Sequence, residues 1–155
     1  MGASVFLVDM TPEEIKTDKR LRRTYGITLA EYNERLSEQG GVCAICKRPP
    51  TKVRLAVDHD HRFDRIKITV TKNGNAFIVS CLTRPNSTHA RTYSAITKEE
   101  VKKTRKQFRL WLRRRSWRGL LCMNCNRGLQ KFYDKPERFE AAAQYLRKFE
   151  NLDQN

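Results

Sequence analysis

The spacing of apolar residues along this chain predicts helices that alternate with short strands. Three Thr-x-x-Glu capping boxes, which begin at Thr11, Thr28 and Thr97, mark helix starts, because the two side chains satisfy free N–H groups of a first turn. The first helix is expected to end at Gly26 and the second at Gly40. In the second and third helices apolar residues recur at helical spacing, which predicts one buried face on each.

Two more helices are expected near the end of the chain. A short one covers about 126–133, and Asp134 is placed to cap the last one, with Glu137 at its third position. The apolar residues of the last helix recur at helical spacing and predict a buried stripe. They are Phe139, Ala143, Leu146 and Phe149.

Alternating apolar residues predict strands between these helices. Residues 66–81 indicate a β-hairpin whose turn is Asn73-Gly74. Residues 118–121 indicate a short strand that leads into a pair of cysteines.

A further short strand at 55–57 leads directly into Asp58 and His59. Side chains alternate between the two faces of a regular strand, so these two would point apart. If both serve one centre, the backbone must depart from regular geometry near Asp58.

Composition and charge favour a polyanionic partner. The chain has 155 residues, which suits one domain or one compact core with an arm, and 32 Lys and Arg against 17 Asp and Glu give a net charge of +15. Each phosphate that such cations neutralise releases counterions, which favours binding to nucleic acid. An anionic membrane surface is one alternative, and a basic surface without such a partner is another.

Basic residues are concentrated on the third predicted helix. Residues 98–118 contain ten basic side chains against Glu99 and Glu100, a local net charge of +8. Because one stripe of this helix is apolar, the opposite face is the candidate surface for contacts with phosphates. The candidate contacts are Lys102, Arg105, Lys106, Arg109, Arg113 and Arg114.

No sequence signal for a membrane or for secretion is recognised. The chain has no run of about 18 apolar residues, so no membrane span is expected. Residues 1–10 hold a short apolar patch but lack the charged start and the length of a signal peptide.

Four of the five cysteines form two Cys-x-x-Cys pairs, Cys43 with Cys46 and Cys122 with Cys125. Two such pairs bring four thiolates around one ion, which predicts a tetrahedral zinc site. Two disulfides are the alternative, but a chain without a secretory signal favours a reducing compartment and metal-bound thiolates. The odd cysteine, Cys81, is expected to be a buried or half-buried strand residue.

Between the two cysteine pairs lies the run Asp58-His59-Asp60-His61, which holds two of the three histidines. A carboxylate can hold a hard cation and an imidazole can transfer a proton near neutral pH, as a hydrolytic centre requires. A solvated polar turn is the alternative. The two cysteine pairs and Asn126 nearby favour a functional site, because convergent metal-type residues are characteristic of one.

Four short pieces of the sequence occur in an order that is typical of one enzyme family. They are Tyr25-Gly-Ile-Thr-Leu29, Gly41-Val-Cys-Ala-Ile-Cys46, Val57-Asp-His-Asp-His61 and Arg118-Gly-Leu-Leu-Cys-Met-Asn-Cys-Asn126. Together they resemble the recombination endonuclease VII family, phage enzymes of the HNH-like ββα-metal nuclease class. The resemblance covers roughly 21–61 and 118–149, and it leaves 62–117 as an insertion.

The resemblance implies a role for each matching residue. The four paired cysteines match structural zinc ligands, while Asp58 and Asn126 match the ligands of a catalytic divalent ion, usually magnesium, which manganese can replace. Carboxylate and amide oxygens are hard ligands and suit Mg²⁺. His59 matches the histidine that activates the attacking water, and His61 matches a second functional histidine.

One position departs from the family pattern. Some members carry a carboxylate three residues after the asparagine, where this chain has Leu129. A leucine side chain cannot bind a metal ion, so Asp60 is the candidate for a third ligand.

The expected fold class is α+β, with a zinc-stapled ββα-metal core, flanking helices and an inserted hairpin-plus-helix segment. Zinc would tie the Asp58 strand to the helix of Asn126. The expected units are an N-terminal helical arm (1–40), the core (41–61 and 118–134), the insertion (62–117) and a C-terminal helix (135–155).

These features lead to the hypothesis of a Mg²⁺-dependent DNA endonuclease that hydrolyses phosphodiester bonds with a histidine-activated water. Branched or recombination DNA is the candidate substrate, and RNA is a weaker candidate. A non-catalytic, zinc-stabilised nucleic-acid-binding module is the alternative.

The resemblance also implies a homodimer, because cutting two opposed strands needs two active centres. The insertion is a candidate surface for a phage or host protein. A cytoplasmic location is expected, in the bacterial host if the chain is phage-encoded.

Overall fold

The computed structural model describes residues 10–150, in which runs of helices and runs of strands follow one another, in agreement with the α+β class. The helices are α1 (Pro12–Tyr25), α2 (Leu29–Glu38), α3 (Lys98–Ser116), α4 (Met123–Lys131) and α5 (Pro136–Glu150). The strands are β1 (Ala56–His59), β2 (Ile68–Asn73), β3 (Ala76–Leu82), β4 (Ala90–Ala95) and β5 (Trp117–Leu121). A 3₁₀ turn, Phe63–Arg65, lies between β1 and β2. The predicted apolar patch at 5–8 lies outside the described residues.

All three predicted capping boxes are present. Thr11, Thr28 and Thr97 each accept a hydrogen bond from the N–H of a glutamate three residues later, and that glutamate accepts one from the threonine N–H. Helix α1 ends at Gly26, whose φ of 73° lies in the left-handed region that favours glycine. The starts of α1, α2 and α3 are therefore fixed by contacts within one turn of chain.

Strands β1 and β5 form the smaller of two sheets. They run antiparallel, with Val57 opposite Leu120, and α4 begins directly after β5 and Cys122. Helices α1 and α2 contribute side chains to the core around this pair, where Ile27 and Leu120 are completely buried. Burial of this apolar surface is the main stabilisation of the unit that holds the candidate site residues.

The inserted segment forms a second sheet, with strand order β2–β3–β4, and a second hydrophobic core against α3. Val79, Phe108 and Leu112 are buried in that core. The predicted hairpin is confirmed with its turn one residue later than expected, because Asn73 pairs with Ala76. Strand β4 was not predicted, since its sequence is small and polar and lacks an alternating apolar pattern.

Helix α3 connects the two units. The guanidinium of Arg113 donates to the carbonyl of Thr24 at 3.0 Å, and that of Arg114 donates to the carbonyl of Gly26 at 3.3 Å. The α1–α2 turn also packs closely on this helix, because a Cβ added at Gly26 would lie 2.9 Å from the carbonyl oxygen of Leu110. The insertion is therefore braced against the N-terminal helices.

The prediction of a buried stripe on the last helix is wrong. Phe139 contacts Phe132, with 4.6 Å between ring centroids, but Leu146 and Phe149 are 62% and 50% exposed. The periodicity identified the apolar face of α5 correctly, yet periodicity carries no information on what covers a face.

The predicted cap of the last helix is also wrong. Helix α5 begins at Pro136, and the carboxylate of Asp134 instead accepts a hydrogen bond from Arg118 at 3.2 Å. Among residues 10–150, no helix is long and apolar enough to cross a membrane.

Candidate metal centre and histidine site

The four paired cysteines meet at one point beside the start of α4. Their Sγ atoms all lie within 4.8 Å of one another, and 3.7 Å separates those of Cys46 and Cys122. A tetrahedron with zinc–sulfur bonds of about 2.3 Å places its sulfurs about 3.8 Å apart. All five cysteines are free thiols, so the predicted cluster is confirmed and the alternative of two disulfides is wrong. The four sulfurs could hold one zinc ion.

Thiol ionisation within this cluster favours a bound cation. Burial raises the pKa of Cys43, but hydrogen bonds from backbone N–H groups, chiefly those of Cys122 and Cys46, outweigh it and lower this pKa to about 6. Burial and the neighbouring sulfurs raise the pKa of Cys125 to about 12. Four thiolates this close therefore do not all ionise near neutral pH unless a cation lies between them.

Hydrogen bonds fix the first cysteine pair against β5. The N–H of Ala44 donates to the carbonyl of Leu120 at 3.1 Å. The side-chain amide of Gln39 bonds both the N–H and the carbonyl of Leu120, at 2.8 and 3.0 Å. The cysteine cluster is thereby joined to the strand that pairs with β1, and so to Asp58 and His59.

A bulge in the β1–β5 pair lies between Asp58 and His59. Asp58 is opposite Gly119 whereas His59 is opposite Trp117, so Arg118 is the extra residue. The predicted departure from regular geometry near Asp58 is therefore confirmed, with the extra residue on the partner strand. The extra residue interrupts the regular alternation of side chains between the two faces of the β1–β5 pair.

Arg118 forms a two-point ion pair with Asp58. Its Nε donates to Oδ2 of Asp58 at 2.7 Å and its Nη2 to Oδ1 at 2.9 Å. Asp58 is only 6% exposed, so this pair compensates a carboxylate that is largely removed from water. Hydrogen bonds to Asp58 raise the pKa of Arg118. Sequence reasoning missed this contact, although Arg118 stands in one of the four matching pieces.

His59 and His61 form a second cluster together with Asp64. Their ring centroids are 4.4 Å apart, and Oδ2 of Asp64 lies 3.4 Å from Nε2 of His59 and 3.8 Å from Nδ1 of His61. Donors of these types could hold a transition metal ion, and a carboxylate can also orient an imidazole ring. The 3₁₀ turn brings Asp64 to this position, and no motif spacing in the sequence indicates it.

Asn126 lies in the first turn of α4, which packs against β1. It lines a groove of about 660 Å³ together with Tyr25, whose ring centroid is 5.9 Å from that of His59. Within the part of the chain that the structure describes, no hydrogen bond joins the Asn126 side chain to Asp58 or His59. The pairing of Asn126 with Asp58 around one metal ion stays a prediction.

The order of these features along the chain agrees with one family. A family model described as recombination endonuclease VII matches residues 18–148. The chain belongs to this family. The resemblance given by the four sequence pieces is thereby confirmed, and the matched range also runs across 62–117.

Two phage proteins are similar to parts of this endonuclease VII family member. The Gene 59 protein of Mycobacterium phage D29 is 40% identical over 63 residues, which are 40% of this chain and 38% of that protein. The Gene 59 protein of Mycobacterium phage L5 is 50% identical over 46 residues, which are 29% of this chain and 28% of that protein. The chain thus spans less than half the length of these curated relatives. No solved structure matches it.

The position where some family members carry a third metal ligand, and the candidate substitute for it, both have other contacts in this family member. Leu129 packs against the hydrophobic core. The carboxylate of Asp60 accepts hydrogen bonds from the guanidinium of Arg62 at 2.8 and 3.0 Å, which lower the pKa of Asp60. A metal ion at Asp60 would have to compete with Arg62.

The six predicted phosphate contacts on α3 fall into two groups. Lys102, Arg105 and Lys106 are exposed. The other three bond to the protein itself: Arg109 to the carbonyls of Asp64 and Ile66, and Arg113 and Arg114 to the α1–α2 turn. Those three brace the insertion, which reduces the cationic surface that α3 offers to a partner.

Proposed function

We propose that this chain is a Mg²⁺-dependent DNA endonuclease of the ββα-metal type. The observation that carries the proposal is the His59–His61–Asp64 cluster. His59 is the last residue of β1 and directly follows the buried Asp58. The antiparallel β1–β5 pair followed by α4 supplies two strands and a helix around that point. Family membership and the net charge of +15 support DNA as the substrate.

His59 is the proposed general base of this reaction. Its Nε2 faces the Asp64 carboxylate at 3.4 Å, and a carboxylate there favours the tautomer with the proton on Nε2. The lone pair of Nδ1 then remains available to take a proton from the attacking water. Nδ1 of His61 lies 3.8 Å from the same carboxylate oxygen, and His61 is the second imidazole proposed to act on the scissile phosphate.

Asp58 and Asn126 are the proposed magnesium ligands, because their oxygens are of the hard type that Mg²⁺ or Mn²⁺ prefers. A bound ion would offset the charge that develops on the phosphate and on the leaving oxygen. Asp58 is held by two of the three guanidinium nitrogens of Arg118, so metal binding requires that Arg118 share or release this carboxylate. Asp134 already accepts a hydrogen bond from Arg118 and would retain this guanidinium near the site.

Cleavage of labelled DNA tests the proposal directly. Linear duplex and four-way junction DNA are incubated with the protein with and without added Mg²⁺, with an RNA duplex of the same sequence in parallel. We expect cutting of DNA only when Mg²⁺ is added, and a faster rate on the junction would identify branched DNA as the preferred substrate. Tight binding without cutting of any substrate would instead favour the non-catalytic binding module.

A homodimer is part of the same proposal. Helix α5 exposes Tyr145, Leu146 and Phe149, each at least half exposed to solvent, and a second copy would bury them. We expect light scattering to give twice the mass of the 18.2 kDa chain, and Leu146→Glu with Phe149→Glu to give the monomer mass. A wild-type protein that stays at the monomer mass at micromolar concentration would contradict this.

A further inference from the structure

The inserted sheet has one face against α3 and one face away from it. On the first face Tyr93 contacts Phe108 of α3, with 5.6 Å between ring centroids. Strand register places Thr69, Ser80 and Thr92 side by side on the other face. The hydroxyls of Thr69 and Ser80 are 2.7 Å apart and hydrogen-bonded to each other, so one of their two protons stays within the pair and the other can be donated to a ligand.

No carboxylate occurs on these three strands or on the loops that join them. Between Asp64 and Glu99 the sequence has six basic residues and no acidic one, although the whole chain has 17 acidic residues. The six are Arg65, Lys67, Lys72, Arg84, Arg91 and Lys98. A surface of this composition attracts a polyanion.

A groove of about 590 Å³ runs beside the hydroxyl-bearing face. Its lining includes Arg62, Arg65, Lys67, Thr69 and Ser80. The side chains of Arg65 and Lys67 are exposed and, among residues 10–150, neither forms a salt bridge. Their charges are therefore available to a ligand, in contrast to the braced arginines of α3.

The groove and the histidine cluster share one stretch of chain, because Arg62 and Arg65 line the groove and Asp64 between them belongs to the cluster. The 3₁₀ turn Phe63–Arg65 presents Asp64 to His59 and carries Arg65 into the groove. Arg109 fixes this turn by donating to the carbonyls of Asp64 and Ile66, at 3.1 and 3.4 Å. A strand of DNA whose phosphate lies at His59 would thus meet the groove with its next phosphates.

We propose that this groove binds the phosphate backbone of the DNA that flanks the cleaved bond. The inference rests on the proposed nuclease function and deepens it by naming the surface that grips the substrate. Arg65 and Lys67 supply the charge, and the hydroxyl pair of Thr69 and Ser80 supplies a hydrogen bond to a phosphate oxygen.

Binding without added Mg²⁺ separates this contact from cleavage and leaves the zinc of the cysteine cluster in place. Fluorescence anisotropy with a labelled duplex compares the wild type, the double variant Arg65→Gln/Lys67→Gln, and Lys16→Gln/Lys19→Gln, which removes the same charge from the exposed side of α1. We expect the groove variant to bind roughly 10- to 100-fold more weakly near 0.1 M salt, with a log–log salt slope shallower by about 2. The helix variant should lose less than about threefold, and both variants should melt like the wild type because all four residues are exposed.

Two results would overturn the groove as the binding surface. One is a groove variant with wild-type affinity and salt slope. The other is a helix variant that loses at least as much affinity as the groove variant. A wild type that binds DNA through the groove but cuts none in Mg²⁺ would leave this inference standing and remove the endonuclease, so the two proposals fail separately.

Discussion

The His59→Ala protein is expected to bind DNA and zinc like the wild type and to cut DNA at least about 100-fold more slowly. A positioned general base contributes roughly 10² to 10⁴ to a rate, and the alanine cannot take the proton of the attacking water. The His59 side chain is only partly buried, so its removal leaves the hydrophobic core unchanged. Single-turnover cleavage in Mg²⁺ measures the rate, anisotropy without added Mg²⁺ measures the affinity, and metal analysis measures the zinc.

The chain offers a matched control for this variant. His89 is an exposed loop residue, so His89→Ala makes the same chemical change away from the cluster and should cut at the wild-type rate. Cleavage by His59→Ala within about threefold of the wild type would remove His59 as the base. His61 would then be the candidate, because its Nδ1 lies 3.8 Å from the same Asp64 oxygen.

Local signals in the sequence predicted much of this fold because the contacts involved are local. The three capping boxes join residues three apart, and all three helix starts were correct. The cysteine pairs predicted the sulfur cluster, because a two-residue spacing suits one metal ion whatever the intervening fold. The irregular backbone near Asp58 was predicted as well, because the side chains of Asp58 and His59 would point apart on a regular strand.

Contacts that depend on tertiary structure could not be predicted in the same way. Arg118 and Asp58 are 60 residues apart in sequence, and their ion pair exists only because a bulge places Arg118 on the correct face. Asp64 is an isolated carboxylate whose approach to His59 depends on a single 3₁₀ turn held by α3. The prediction that the apolar stripe of α5 is buried was wrong for a related reason, since no sequence pattern states which surface lies opposite an apolar face.

Removal of one cysteine ligand should have the largest effect on stability. We expect Cys122→Ser to lose bound zinc and to show no cooperative thermal transition in the core that contains β1 and β5. Structural zinc contributes roughly 10–16 kcal/mol in small zinc peptides, comparable with the about 5–15 kcal/mol that stabilises a typical domain. Cys122 also caps α4, because its Sγ accepts the N–H of Cys125 at 3.5 Å. Circular dichroism melts with and without a chelator, followed by zinc analysis, measure both effects.

Cys81→Ser is the control that separates zinc loss from the loss of any buried thiol. Cys81 is 3% exposed and lies in the second core, so the variant should melt at a moderately lower temperature with its zinc retained. A Cys122→Ser protein that melts cooperatively at the wild-type temperature in zinc-free buffer would show that packing alone holds the cysteine cluster together. In that case the hydrogen bonds of Gln39 and Ala44 to Leu120 would have to fix the first cysteine pair without an ion.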